Sequence, residues 1–169
     1  MVLKIRQIEI NDWKDIKKLY NEWRTENTFA VPEVILSNGQ AKKRTTQLIE
    51  DGINFAGELN GRVVGLIESS IGKLPKTNHT LYVSQLNVLK DYRRNGIASK
   101  LLKKLLSVAK QKKIKLIYLN IVSTNKPAIR LYEKLGFKKT GCVKKQYKFG
   151  NKYVDNCIMC KFLGQTLDS

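Results

Sequence analysis

Between Val88 and Leu106 the sequence reads VLKDYRRNGIASKLLKKLL, which sets Arg93, Arg94 and Gly96 between an apolar run and a strongly periodic segment. Residues of these types at such a junction suit one chemistry, the holding of an anion. The first N–H groups of a helix have no intrahelical partner and lie at the positive end of its dipole, so a phosphate satisfies both. Gly96 and Ala98 keep the backbone uncluttered where approach is closest, and Arg93 and Arg94 add charge-assisted donors in the same turn. An exposed turn with incidental basic residues fits the same letters, and short motifs arise readily by chance.

Metal and thiol chemistry are poorly supplied. The chain holds one histidine, His79, and three cysteines, Cys142, Cys157 and Cys160. Cys157 and Cys160 spell C-x-x-C inside YVDNCIMCKF, which reads as a strand, and residues three apart on a strand face opposite ways. Neither a redox pair nor a zinc site is expected from them, and three cysteines are too few and too odd in number for a disulfide framework.

The elements that must position the junction follow from periodicity. LKIRQIEI alternates as a first strand, and NDWKDIKKLYNEWRTE spaces Trp13, Ile16, Leu19, Tyr20 and Trp23 as a helix, with Asp12 able to cap it. Thr28 to Gln40 is expected as a loop, followed by a short helix from Thr45 to Asp51. Two strands then meet at Asn60-Gly61, a strong hairpin signal. LYVSQLNVL is an apolar fourth strand, expected at the centre of a sheet. Ala98, Leu101, Leu102, Leu105 and Ala109 make one helical stripe, with lysines opposite. A fifth strand covers Lys115 to Val122, and a helix with Pro127 in its first turn ends at Gly136. KKQYKF and KYVDNCIMCKF close the chain as a hairpin turning at Gly150-Asn151. Strand, helix, strand in the second half demands a parallel pair with a right-handed crossover, and the hairpins make the rest antiparallel.

At 169 residues the chain fits a single domain, 1–169. Thirty-two Lys and Arg against 14 Asp and Glu give a net charge of +18, which favours anionic encounter partners. Lys100, Lys103, Lys104, Lys110, Lys112 and Lys113 are scattered over helix faces as on a solvated surface. The N-terminus lacks the apolar core of a signal peptide, and no run approaches the ~18 residues of a membrane span. A soluble cytoplasmic protein without a membrane partner is expected.

Arg93-x-x-Gly96-x-Ala98 after a strand and at the head of a helix resembles the Q/R-x-x-G-x-G/A signature of the GNAT superfamily of N-acetyltransferases. Asn125, Ala128, Leu131, Tyr132, Leu135, Gly136 and Phe137 are similar to that family's N-x-x-A-x-x-L-Y-x-x-L-G-F segment, and the likeness is specific over residues 81–140. It implies an α/β (α+β) domain with a mixed, largely antiparallel seven-stranded sheet, splayed central parallel strands and about four helices. It also implies acetyl-CoA as cofactor. The pantetheine arm would pair with the backbone of Leu86, Asn87 and Val88. The pyrophosphate would rest on Arg93, Arg94, Asn95, Gly96, Ile97, Ala98 and Ser99. Asn125 and Ala128 would flank the arm, and Tyr132 would sit near its sulfur.

The implied activity is direct acetyl transfer to a primary amine through a tetrahedral intermediate, which needs a neutral amine, a stabilised oxyanion and a protonated leaving thiol. The Val88 N–H suits the oxyanion, and Tyr132, with a reference pKa of about 10, suits the thiolate. Tyr132 is equally in register with Ile129 and Leu135 as a core-facing aromatic. Where many relatives carry a glutamate, this chain has Ser84, which is able to hold a relaying water. Glu68 is the nearest carboxylate in the expected sheet order and equally a solvent-facing strand residue. Glu22, Glu26, Tyr153 and Asp155 are candidates for binding the acceptor, an amine on a small molecule or a peptide or protein N-terminus. A non-catalytic acyl-CoA sensor is the alternative that Ser84 motivates. Charge alone motivates nucleic-acid binding, without the interleaved aromatics of a single-strand binder, so nucleic acid is not expected as a specific ligand. A homodimer is compatible with the sequence.

Overall fold

The computed structural model describes residues 2–24 and 35–164. Its elements are β1 (Leu3–Arg6), α1 (Trp13–Arg24), α2 (Asn38–Glu50), β2 (Phe55–Leu59), β3 (Arg62–Ile71), β4 (Thr80–Val88), α3 (Ile97–Gln111), β5 (Leu116–Val122), α4 (Lys126–Lys134), β6 (Lys138–Phe149) and β7 (Lys152–Phe162). The strands form one seven-stranded sheet in the order β1-β2-β3-β4-β5-β7-β6. Only β4 and β5 run parallel, joined across α3. The expected fold class is borne out.

Opposite faces of the sheet receive different helices. Ile16, Leu19 and Trp23 of α1 are fully buried, and Tyr20 between them reaches Glu68 on β3. The stripe of α3 lies on the other face, where a Cβ on Gly65 would come within 3.0 Å of Ile97 and 3.2 Å of Leu101. Glycine at Gly65 therefore sets how closely α3 approaches the sheet. Burying Ile97, Leu101, Leu102 and Leu105 contributes about 1.5–3 kcal/mol per side chain, and it fixes the helix whose first turn carries the anion motif.

Several elements differ from expectation. Asp12 does not cap α1. It ends a short 3-10 turn, where its carboxylate accepts from Arg6 Nη1 at 2.7 Å, Arg6 Nη2 at 2.8 Å and the Glu9 amide at 2.8 Å. α2 starts at Asn38 rather than Thr45, because Ser37 and Gln40 form a reciprocal capping box: Ser37 Oγ accepts from the Gln40 amide and Gln40 Oε1 from the Ser37 amide. β6 starts at Lys138 rather than Lys144. Register shifts between Lys139 and Gly141 and between Val143 and Tyr147 break its alternation, and Lys145 adopts a positive φ of 53°.

The cysteine expectation is corrected as well. Cys142 and Cys157 form a disulfide. They are directly opposed in the β6–β7 ladder with Cα atoms 4.0 Å apart, a pairing hidden when Cys142 is read as lying outside a strand. Cys160, on the other face, keeps a free thiol beside Thr140.

Candidate active site

The parallel pair parts midway. β4 and β5 are in register from Thr80↔Leu116 to Val83↔Leu119 and no further. Beyond that point β5 continues against β7 while β4 continues against β3. The Leu89 amide donates to the Val64 carbonyl, so by antiparallel alternation Leu86 and Val88 turn their peptide groups away from β3 and into the gap. Asn87, between them, pairs with Leu66. A register shift next to Glu68 and Ser69 leaves Ser84 without a partner on β3 and bends β4 at the parting.

At the foot of the gap the chain makes the expected anion cradle. Arg94 (φ 65°) and Gly96 (φ 74°) are left-handed, and Gly96 is the N-cap of α3 with no side chain capping it. The amides of Ile97, Ala98 and Ser99 thus keep the donors that a helix start leaves over. A Cβ on Gly96 would meet nothing within 4 Å, so the cradle is open. Arg93 Nε donates to the Val88 carbonyl at 2.9 Å, tying the cradle to the end of β4. Asn95 braces the turn through the carbonyls of Tyr92 and Arg93. Backbone donors and arginine charge at one open turn are the donor set a pyrophosphate requires.

A cavity of about 560 Å³ runs from this cradle along α4. Leu86, Asn87, Val88, Arg93, Arg94, Gly96, Ile97, Ala98, Ser99, Asn125, Ala128 and Tyr132 all line it, so the structure brings together the expected cofactor residues other than Asn95, whose side chain is turned onto the loop backbone. Asn125 caps α4, its Oδ1 accepting from the Ala128 amide at 3.3 Å. Tyr132 is buried and packs edge-on against Phe137. Burial, with the nearby Tyr82 hydroxyl adding to it, lifts its pKa above the usual phenol value and holds it protonated.

A second cavity of about 430 Å³ opens on the α1–α2 side, lined by Tyr20, Leu36, Arg44, Tyr82, Ser84, Gln85, Asn120, Ile121, Val122, Tyr147 and Asn156. A narrow passage of about 100 Å³ through the parted strands shares Ser84, Gln85, Asn120, Ile121 and Val122 with it, and Leu86, Asn87, Asn125, Ala128 and Tyr132 with the first cavity. The two cavities meet where the ladder ends.

Glu68, 1% exposed, is no solvent-facing strand residue. Its carboxylate accepts from Tyr20 Oη and from Arg44 Nη2, while Arg44 Nε donates to Tyr20 Oη at 2.9 Å. Burial lifts the Glu68 pKa, with Arg44 and Tyr20 pulling against it. For Arg44 burial opposes the charge, and the neighbouring Glu68 and Tyr20 together more than offset it, raising the pKa. Ser84 Oγ donates to the Glu68 carbonyl at 3.3 Å.

Of the expected acceptor residues, Glu22, Tyr153 and Asp155 do not line the second cavity. Glu22 accepts from the Lys90 amide at 2.7 Å, bracing the loop that follows β4. Asp155 holds the β6 bulge, accepting from Lys144 Nζ and the Lys145 amide, both at 2.9 Å. Tyr153 is 59% exposed beneath Lys148, and Glu26 lies outside the described residues. No local sequence signal marks Tyr20, Arg44, Tyr82, Asn120, Tyr147 and Asn156, because the cavity is assembled across six elements, α1, α2, β4, β5, β6 and β7.

Comparison with known proteins agrees with this geometry. The profile of the acetyltransferase (GNAT) family matches residues 13–137. N-alpha-acetyltransferases of Sulfurisphaera tokodaii and Saccharolobus solfataricus are 35% and 38% identical over 104 residues, covering 57% of this chain. The match spans only 62% of the length of each relative. The fold is that of a GNAT superfamily phosphinothricin acetyltransferase from Sinorhizobium meliloti, solved in complex with acetyl-CoA (TM-score 0.84, 20% identity, covering 97% of this chain and 90% of that one). The motif at Arg93–Ala98, the parted strands and the family profile converge, and the chain belongs to the GNAT family of acetyltransferases.

Proposed function

We propose that this protein transfers the acetyl group of acetyl-CoA to a primary amine, and that the amine is an α-amine such as the N-terminus of a peptide or protein. The carrying observation is the passage between the two cavities: a long slot with an anion cradle at its foot opens, through a gap in the sheet, onto a separate polar pocket. The α-amine acceptor is supported by the relatives, which are N-alpha-acetyltransferases.

In this reading the first cavity receives the donor, its pyrophosphate on the amides of Ile97, Ala98 and Ser99 and its arm against the N–H groups that Leu86 and Val88 turn into the gap. Those N–H groups are the fixed donors along the slot, and one of them receives the developing oxyanion. Tyr132, buried and protonated at the passage, returns a proton to the departing thiolate. Ser84, at the mouth of the passage, positions the amine or a water that takes its proton. An α-amine of pKa about 8 is neutral in roughly a tenth of its molecules at pH 7, so this last demand is modest.

The test is incubation with acetyl-CoA and a panel of peptides and small amines, following free thiol and product mass. Thiol release matched by N-acetylated peptide is expected. A protein that shows no heat of CoA binding in calorimetry refutes the reading at its first step.

A further inference from the structure

The acceptor cavity has an unusual charge inventory for a pocket that receives an amine. Among the described residues lining it, Arg44 carries the only formal charge. Glu68, the carboxylate that Arg44 engages, does not line the cavity; it is buried and held by Tyr20 and Arg44. The remaining polar lining is neutral, from hydroxyls (Tyr20, Tyr82, Ser84, Tyr147) and amides (Gln85, Asn120, Asn156). A site built to hold a cationic acceptor by its positive charges would present a free carboxylate here, and none of these residues has one.

Arg44 itself is anchored. Nε is fixed on the Tyr20 hydroxyl and Nη2 on Glu68, yet the side chain keeps 36% of its surface exposed. A guanidinium carries five N–H donors in a rigid fork, and these two contacts use two of them. The rest of the fork is held still on a side chain that lines the cavity. Such preorganisation removes the ordering cost that a loose surface arginine would meet on binding. β6, which brings Tyr147 to the same cavity, adds Lys144, Lys145 and Lys148 along its length, so the surrounding field has the same sign.

We infer that Arg44 receives a carboxylate of the acceptor, so that the protein selects amines that carry a carboxylate a few bonds away. This deepens the proposed acetyl transfer and rests on it. Two sources present that chemistry: the α-carboxylate of a free amino acid, and the acidic side chain of a peptide with Asp or Glu next to its N-terminal residue. Arg44 is here a specificity-determining residue, and its partner Glu68, acting through it, is a positioning residue.

The experiment uses isosteric pairs that differ only in charge. One arm compares free amino acids with their carboxamides; the other compares peptides carrying Glu or Gln at the second position. KM and kcat are measured by thiol release, and the affinity of the N-acetylated product of each pair is measured by calorimetry in the presence of CoA. In one arm the carboxylate member should show a KM and a product Kd at least about tenfold lower, the scale of one charge-assisted hydrogen bond, with kcat little changed. The arm that shows the difference identifies the source. Arg44→Gln should erase the difference, and Arg44→Lys should keep only part of it, since an ammonium cannot reproduce the fork. Equal values for both members of every pair in the unaltered protein overturn the inference, as does a preference that survives in Arg44→Gln. If Arg44→Gln fails to fold, the isosteric comparison in the unaltered protein still decides. Failure of the acetyl-transfer reading looks different, with no thiol released for any amine, and the product affinities then remain the deciding measurement.

Discussion

Replacing Tyr132 by Phe isolates one hydroxyl. The ring stays in place, since it is held edge-on by Phe137 with ring centroids 5.4 Å apart. Among the described residues the hydroxyl makes no hydrogen bond, and the causes that lift its pKa are burial and a neighbouring phenol. Its removal therefore breaks no structural contact, and the thermal midpoint should move by no more than the equivalent of about 0.5 kcal/mol. Loss of a general acid costs roughly 10²–10⁴ in rate. Because a thiolate is already a fair leaving group, we expect the lower end, about 100-fold in kcat, or about 2.7 kcal/mol of barrier. The buried hydroxyl stays protonated, so the deficit should be flat between about pH 6 and 9, and CoA affinity should match that of the unaltered protein. Thiol release at saturating acetyl-CoA, calorimetric titration of CoA and a melting curve together make the measurement. A Phe variant that retains kcat within threefold removes Tyr132 from the chemistry. One that loses activity together with CoA affinity or stability shows the side chain to be structural.

Other perturbations test the scaffold. Gly65→Ala puts a methyl 3.0 Å from Ile97, 3.2 Å from Leu101 and 3.3 Å from Val88; it should cost about 1–3 kcal/mol by denaturant unfolding, part of it recovered when Ile97 is shortened to Val. Cys142→Ser opens a bridge between residues 15 apart in sequence, and the loss should be about 2–4 kcal/mol, with the unaltered protein falling to match it under reductant. Glu68 has its folded pKa raised, chiefly by burial, so the folded state holds this proton more tightly than the unfolded chain. Its contribution is favourable at low pH and is lost as pH rises from the unfolded value of about 4.5 through the folded pKa. Plotted against pH, the stability of the unaltered protein minus that of Glu68→Gln should therefore fall over that interval; a difference that rises contradicts the assignment.

What the sequence made legible is what is local. The stripe Leu101, Leu102, Leu105, Ala109 is buried as its period requires, and the Asn60-Gly61 turn has both residues at positive φ. The anion cradle was readable because all its parts lie within one turn. The Ser37-x-x-Gln40 capping box is equally local, but it stands beside Pro32 and Gly39, whose turn propensity reads as a loop. The second cavity is another matter: Tyr20 and Arg44, which line it, are 24 residues apart, and Glu68, which holds both, is 48 residues from Tyr20, so only tertiary packing joins them. The Cys142–Cys157 pairing needs the β6–β7 register, which the bulge before Tyr147 shifts away from simple alternation.

The N–H groups that Leu86 and Val88 turn into the gap also bear on how the fold is completed. They lie where a sheet would ordinarily supply another chain, so a pantetheine arm laid against them acts as a missing strand. Binding and folding then share one free energy. A ligand present at about 100 times its Kd adds about 2.7 kcal/mol to the folded state, and the melting temperature becomes a report on the cell's supply of acyl donor. In hydrogen exchange the signature should be confined to two alternate amides, Leu86 and Val88, which slow on addition of CoA, while Asn87 between them, already paired with β3, does not change.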